Sequence, residues 1–226
     1  MLKCVAFDCD GVLVDAVSSW RTLHDHCGTN SDEAFAAFLR GEIDDQEFMR
    51  IDIKLWKAVS PRIHRDEIFR AFAGVKLMSG ARAVVEALKE RGIYVAIVSA
   101  GVDVFVSSIA AMLGADDWIA NGFEFDDDGW LGDEGIARVS GSRKDLVIAK
   151  LLELNGFTAN EVISVGDSDI DLSMRIDGNK FIGFNPSRQR SVDMFTSAGV
   201  PIINDKDLRA IWSELFRGEE FPEGEM

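Results

Sequence analysis

Apolar positions change their spacing twice along the chain. Residues 4–7, Cys-Val-Ala-Phe, form a short unbroken apolar run. Such a run predicts a strand buried on both faces, as in a parallel sheet. From residue 16 to residue 73 the spacing becomes helical. Trp20, Leu23 and Cys27 share one face up to Gly28, and Asp15 is placed to cap this helix. Phe35, Phe38 and Leu39 follow behind a capping Ser31, ending at Gly41. Phe48, Ile51, Leu55 and Val59 follow behind Asp44 or Asp45 and break at Ser60-Pro61. Ile63, Ile68, Phe69 and Phe72 run to Gly74. No strand interrupts this stretch, so residues 16–73 are read as a small helical cap inserted after the first strand. Residues 1–15 and 74–217 then form the core.

From residue 81 onward, helices and strands alternate. The pattern predicts helices over 81–90, 102–113, 142–155, 172–176, 191–198 and 208–216, with Ser142 capping the third. Strands fall at 93–98, 118–120, 161–165, 181–183 and 200–203, and residues 123–131 suggest a hairpin flap with an acidic turn. Alternation of this kind predicts an α/β fold with a doubly wound parallel sheet. The stretch 218–226 is acidic and poor in apolar residues, which predicts a disordered tail.

Composition narrows the function classes. The chain has 226 residues, 47% of them hydrophobic, enough for one sizeable core and an insertion. Its net charge of −15 argues against a nucleic-acid partner, which needs basic surface to release counterions. An anionic membrane surface is disfavoured for the same reason. No apolar run approaches the roughly 18 residues of a membrane span. Cys4, Cys9 and Cys27 match no disulfide framework or zinc spacing. The amino terminus enters a strand without a basic region and apolar signal core, so a reducing cytoplasm is expected.

Charge placement supplies the chemistry. The first strand ends in Asp8-Cys9-Asp10-Gly11. Two carboxylates this close resist joint ionisation unless a cation lies near them. Two other strand ends carry Ser99-Ala100-Gly101 and Gly166-Asp167-Ser168-Asp169-Ile170-Asp171. In parallel sheets, ligands bind outside the carboxyl ends of the strands, so these three stretches are expected to converge. Asp8, Asp167 and Asp171 offer hard oxygens that suit Mg²⁺ rather than zinc. Ser99 offers a hydroxyl, and the Ala100 and Gly101 amides are expected to open a helix and favour an anion. Lys144 lies near a helix start, where its charge is disfavoured unless it points at an anion. Together these groups describe a phosphate pocket containing a carboxylate nucleophile. His24, His26 and His64 are scattered within helices and read as surface or interhelix residues.

Asp8-x-Asp10-Gly11, Ser99, Lys144 and Gly166-Asp167-x-x-x-Asp171 resemble the four motifs of the haloacid dehalogenase superfamily, in that order. The resemblance implies a Rossmann-like core and a Mg²⁺-dependent phosphatase acting on a small phosphorylated metabolite. It implies that Asp8 attacks phosphorus and that Asp10 serves as general acid, then base. Ser99, Ala100 and Lys144 would hold the phosphoryl group. Asp8, the Asp10 backbone carbonyl and Asp167 would bind Mg²⁺, with Asp171 behind them. Asp10 favours phosphoryl transfer, because the superfamily's dehalogenases lack that second acid.

The chain also resembles the phosphoserine phosphatase branch, in the cap position, in Leu39-Arg40-Gly41-Glu42-Ile43 and in the flap. That branch grips the serine amine and carboxylate with a Glu after the first motif and an Arg and a Phe in the cap. The matching positions here are Val17, Asp52 and Asp45. An aspartate in place of an arginine repels a carboxylate, so phosphoserine is not expected to be preferred. Arg50 could replace the arginine only from nearly the opposite helix face. Two other readings remain: a phosphotransferase or mutase of the same superfamily, and a non-catalytic phosphate-binding regulator.

Overall fold

A computed structural model describes residues 1–222. Strand β1 (Cys4–Phe7) lies inside a seven-stranded sheet of order β4-β3-β2-β1-β5-β6-β7. Its partners β2 (Tyr94–Val102) and β5 (Val162–Gly166) both run parallel to it. Beyond them lie β3 (Asp117–Phe125) and β4 (Leu131–Ile136) on one side, and β6 (Lys180–Phe184) and β7 (Ile202–Ile203) on the other. Only the β3–β4 pair is antiparallel. The seven-stranded, mostly parallel sheet flanked by helices is the expected α/β architecture.

Every side chain of β1 is buried, which explains its unbroken apolar run. Val5 and Phe7 join the larger core cluster, while Cys4 and Ala6 join the cluster on the other face. The two-residue period of a strand divides them so. Strand order reverses around β1, with β2 and β5 on opposite flanks. A crevice forms at such a reversal. The backbone N–H of Asp8 donates to the Val165 carbonyl at 2.9 Å, so the ends of β1 and β5 leave the sheet side by side.

Four helices fill the segment after β1: α1 (Ser19–Cys27), α2 (Asp32–Leu39), α3 (Asp45–Val59) and α4 (Arg65–Ala71). Asp44 caps α3 through the Glu47 N–H at 2.8 Å. Asp15 does not cap α1; Ser18 does, because the helix starts later than its apolar spacing suggested. Ser31 precedes α2 without a side-chain cap bond. In the core, α5 (Ala81–Glu90) and α6 (Asp103–Leu113) follow β1 and β2. A 3₁₀ turn at Gly141–Arg143 leads into α7 (Lys144–Asn155), so Ser142 lies inside the turn rather than capping the helix. Helix α8 (Gln189–Ser197) follows β6, and α9 (Trp212–Leu215) closes the chain. No helix among the described residues is long and apolar enough to cross a membrane.

Three strand expectations change. β2 runs on to Val102 because β3 keeps pairing with it past a register shift, ending at Val102–Asn121. β3 is longer than the expected 118–120 because it uses both edges, parallel to β2 and antiparallel to β4. The expected flap therefore belongs to the sheet, and α3 packs on it: Gln46 donates to the Gly135 carbonyl at 2.8 Å. Within the expected acidic tail, Phe221 meets the Trp212 ring edge-on at 5.1 Å and Glu219 pairs with Arg91 at 2.8 Å. Residues 223–226 lie outside the described residues.

The cap has its own buried polar centre. His24 and Asp52 are almost fully excluded from solvent, and His24 Nε2 faces Asp52 Oδ1 at 3.1 Å. The Trp56 indole N–H can only donate, and it points at His24 Nδ1 at 3.2 Å. That contact places the ring proton on Nε2, which stands against the carboxylate at ion-pair distance without a well-aligned hydrogen bond. Burial pushes the Asp52 carboxyl pKa up, and the His24 contact pulls it back. Asp52 was a candidate specificity residue, and this burial corrects that reading. It shares a face of α3 with Asp45 but lies two turns on, about 10 Å along the axis. That distance moves it from the crevice to the cap interior.

His24→Ala should lower folding stability by about 3–5 kcal/mol, because it strands a buried carboxylate. Adding Asp52→Leu should recover much of the loss, as read by urea denaturation. Equal and additive losses in the two single variants would refute this coupling.

Candidate active site

The carboxyl ends of β1, β2 and β5 and the start of α7 open into one cavity, which α1, α2 and α3 cover from the other side. Asp8, Asp10, Ser99, Ala100, Lys144, Asp167 and Asp171 all line it. Lys144 is 2% exposed and its Nζ donates to Asp8 Oδ1 and to Asp171 Oδ1, both at 2.7 Å. The neighbouring Arg143 turns outward to Asp145 at 2.9 Å, which leaves Lys144 as the buried cation.

A short 3₁₀ helix, Asp169–Met174, stands where a helix over 172–176 was expected. The Ser168 N–H and hydroxyl both donate to Asp171 Oδ2, at 3.1 and 2.7 Å. The Asp171 N–H donates to the Ser168 carbonyl at 3.0 Å, closing a tight turn that returns Asp171 to Lys144. Two glycines permit the crowding. A Cβ on Gly166 would sit 2.3 Å from the Asp171 Cβ. Gly11 has φ +78°, and a Cβ there would sit 2.5 Å from an Asp167 carboxylate oxygen.

Asp10 is held differently from Asp8. Its Oδ2 accepts from the Ser19 N–H and hydroxyl, both at 2.7 Å. Its Oδ1 is buried and has no partner among the described residues. Ser19 Oγ also accepts from the Val102 N–H at 3.0 Å, so one cap serine ties β1 to β2. Ala100 and Gly101 do not open a helix. They belong to β2, and α6 starts only at Asp103. The Gly101 N–H donates to Ser99 Oγ at 3.0 Å. The Ala100 carbonyl accepts from Trp20 Nε1 at 2.9 Å and from Asn121 Nδ2 at 3.2 Å.

Like charges dominate the electrostatics. Burial pushes the Asp8 pKa up to about 7; Asp171 and Asp10 push the same way, while Lys144 resists. Asp167 is raised by burial and then by Asp171 and Asp8. Burial also raises Asp10, against the lowering effect of the Ser19 bonds. Burial opposes the charge on Lys144, but Asp171 and Asp8 outweigh it and raise its pKa. One ammonium thus faces more carboxylate than it can neutralise. Asp8, Asp167 and Asp171 each bring an oxygen within 4.8 Å of the others. All are hard donors, and the Gly11 position leaves no room for a side chain beside Asp167. The set fits a small divalent cation bound by oxygen.

Among the specificity candidates, Val17 and Asp45 line the cavity and Asp52 does not. Asp45 Oδ1 accepts from the Gly141 N–H at 3.1 Å, fastening α3 over the turn before Lys144. Ser19, Ser168, Asn121 and Arg188 were not singled out from the sequence. For Ser19 the available signal was the Ser18-Ser19 pair before the helical apolar spacing, a usual helix start. For Ser168 the signal was the Ser-x-x-Asp spacing of a capping box with Asp171. Asn121 and Arg188 carry no local signal, because their partners lie on distant strands, loops or helices.

The fold and site thus define an α/β protein with an acidic, lysine-bridged crevice at a strand-order reversal, covered by an inserted helical cap. Residues 2–177 match the model of the haloacid dehalogenase-like hydrolases, and the chain belongs to that family. It is 30% identical to the phosphoserine phosphatase of Polaromonas sp., over 76% of this chain and 74% of that protein. It is 26% identical to the phosphoserine phosphatase of Archaeoglobus fulgidus over 81% of this chain, and spans about half of that relative's length, 52%. A solved structure of a substrate-bound phosphoserine phosphatase complex has the same fold, with a TM-score of 0.78 and 22% identity over 95% of this chain and 98% of that one.

The Asp8 shift is upward, so the folded chain retains a proton that the unfolded chain releases between about pH 4 and about pH 7. Ionising Asp8 therefore costs stability across that window when no cation is bound. In chelator, Asp8→Asn should be about 2–4 kcal/mol more stable than the parent at pH 8, and equal to it near pH 4. Denaturation midpoints that show no pH-dependent difference would contradict this charge balance.

Proposed function

We propose that the chain hydrolyses a small-molecule phosphomonoester through an aspartyl-phosphate at Asp8. One observation carries the reading: Asp8 and Asp10 stand two residues apart with divided environments. Asp8 faces Lys144 and the carboxylate cluster, while Asp10, which also lines the cavity, has one oxygen clamped by Ser19 and the other buried without a partner among the described residues. That division suits a nucleophile and a separate acid.

In the first step an Asp8 oxygen bonds to phosphorus and the bond from phosphorus to the leaving oxygen breaks. Asp10, whose pKa is raised by burial, gives its proton to that oxygen. In the second step Asp10 takes a proton from water, the water oxygen bonds to phosphorus, and Asp8 is released with inorganic phosphate. Ser99, the Ala100 backbone and Lys144 hold the phosphoryl oxygens. Asp8, the Asp10 backbone carbonyl and Asp167 would hold Mg²⁺, with Asp171 behind them, and the ion would neutralise charge on the phosphoryl group. Ser19 fixes the Asp10 carboxyl through two hydrogen bonds to one oxygen, which leaves the other to carry the proton. The cap excludes water while the first bond forms.

Phosphoserine is not the preferred substrate in this reading. The cap lines the cavity with Val17, Phe35, Phe38, Asp45 and Phe48, and with no cation among the described residues. Arg50 turns away to Glu134 at 2.8 Å. A substrate carboxylate would therefore find no partner in the cap.

With Mg²⁺, the chain should hydrolyse p-nitrophenyl phosphate, and chelator should abolish turnover. Asp8→Asn should lose at least about 10⁴-fold in kcat. Retention of activity in that variant would exclude the covalent route. Release of product without inorganic phosphate, in the presence of an alcohol, would instead identify phosphoryl transfer to that acceptor. Ser19→Ala should lower kcat about 10- to 100-fold with a smaller change in KM, because Asp10 keeps the backbone N–H bond but loses the hydroxyl that orients it, and the tie to Val102 is lost with it. A change confined to KM would show that Ser19 does not act through Asp10.

A further inference from the structure

Two cationic side chains line the cavity among the described residues, Lys144 and Arg188. The first is committed to the carboxylates at the strand ends. The second is not. Arg188 precedes α8 on the core side of the cavity mouth, and its guanidinium carbon lies 5.4 Å from the centroid of the Phe35 ring in α2. It makes no ion pair with any described residue, in a chain of net charge −15. Its neighbour Arg190, by contrast, pairs with Asp169 at 2.8 Å. An arginine left unpaired beside so many acids, with its planar fork set over an aromatic ring, is poised for an anion that arrives from outside.

Phosphate binding does not need it. The phosphoryl site is built from the ends of β1, β2 and β5 and from Lys144, whereas Arg188 meets Phe35 of the cap. The cap wall of the cavity carries three phenylalanines, Phe35, Phe38 and Phe48, with Phe38 stacked on Phe48 at 5.4 Å between ring centroids. We infer that the substrate is a phosphomonoester with an apolar or aromatic body and a second anionic group, a carboxylate, at its far end, and that Arg188 is the residue that reads this group. The inference rests on the phosphatase reading above and adds the substrate class. It also gives the carboxylate a partner on the core side, where the cap supplies none.

The test uses full-length protein with Mg²⁺ at fixed ionic strength and three aryl esters: phenyl phosphate, 4-carboxyphenyl phosphate and the neutral 4-carbamoylphenyl phosphate of similar size. The wild type should favour the carboxylated over the carbamoylated ester about tenfold in kcat/KM, a typical yield for a charge-assisted bidentate bond at a partly exposed site. In Arg188→Ala that ratio should fall to about one, in Arg188→Lys it should be intermediate, and in Arg188→Glu it should invert. A ratio near one in the wild type, or a ratio unchanged in Arg188→Ala, overturns the inference; the latter would mean that some other group supplies the preference. Turnover of phenyl phosphate without a carboxylate preference overturns this inference alone, whereas no turnover of any ester overturns the phosphatase reading with it.

Discussion

Lys144 is one buried ammonium held between two buried carboxylates, with Asp167 beside them. Neither the lysine nor the aspartates would be tolerated there alone, since an unpaired buried charge costs several kcal/mol. The surrounding structure serves to hold this unbalanced group together. The parallel sheet brings the ends of β1 and β5 into register. The Ser168 turn folds Asp171 back, and Gly11 and Gly166 remove the atoms that would keep the carboxylates apart. The surplus of negative charge makes the pocket receptive to a cation.

The cap is fastened to the core by polar contacts at the rim of the same cavity. Trp20 donates to the Ala100 carbonyl, Asp45 accepts from Gly141, and Ser19 bonds both Asp10 and Val102. Inside the cap Trp20 stacks on Trp56, with Phe123 of β3 edge-on to both, beside the His24–Asp52 pair, while Trp20, Phe35, Phe38 and Phe48 face the cavity. The cavity therefore has a charged floor from the core and an aromatic roof from the cap. The carboxylates and Lys144 lie on the floor, while Arg188 sits on the core side facing Phe35 of the cap.

Much of this was legible in one dimension. The buried strand 4–7 was readable because all four residues are apolar, and the insertion because helical spacing continues unbroken for four helices. The strand ends were readable because aspartates, serine and glycine follow directly on apolar runs. Less legible were features set by partners far along the chain. β2 and β3 outrun their apolar stretches because neighbouring strands keep pairing with them. Val17, Asp45 and Asp52 looked equivalent, yet two helical turns separate a residue at the cavity from one sealed beneath α1.

Local order along the chain dictated which groups could do chemistry: a carboxylate, a hydroxyl or a lysine placed where a strand ends or a helix begins. Those assignments depend only on neighbours within a few residues, so they can be read without a fold. The three-dimensional arrangement dictated which oxygen of each carboxylate is engaged and which is free, that Ser19 holds Asp10, and that Arg188 reaches the cavity while Asp52 does not. These outcomes depend on contacts between segments more than 80 residues apart in several cases, and on burial that alters the charge each group can carry. Neither quantity exists until the chain has closed on itself.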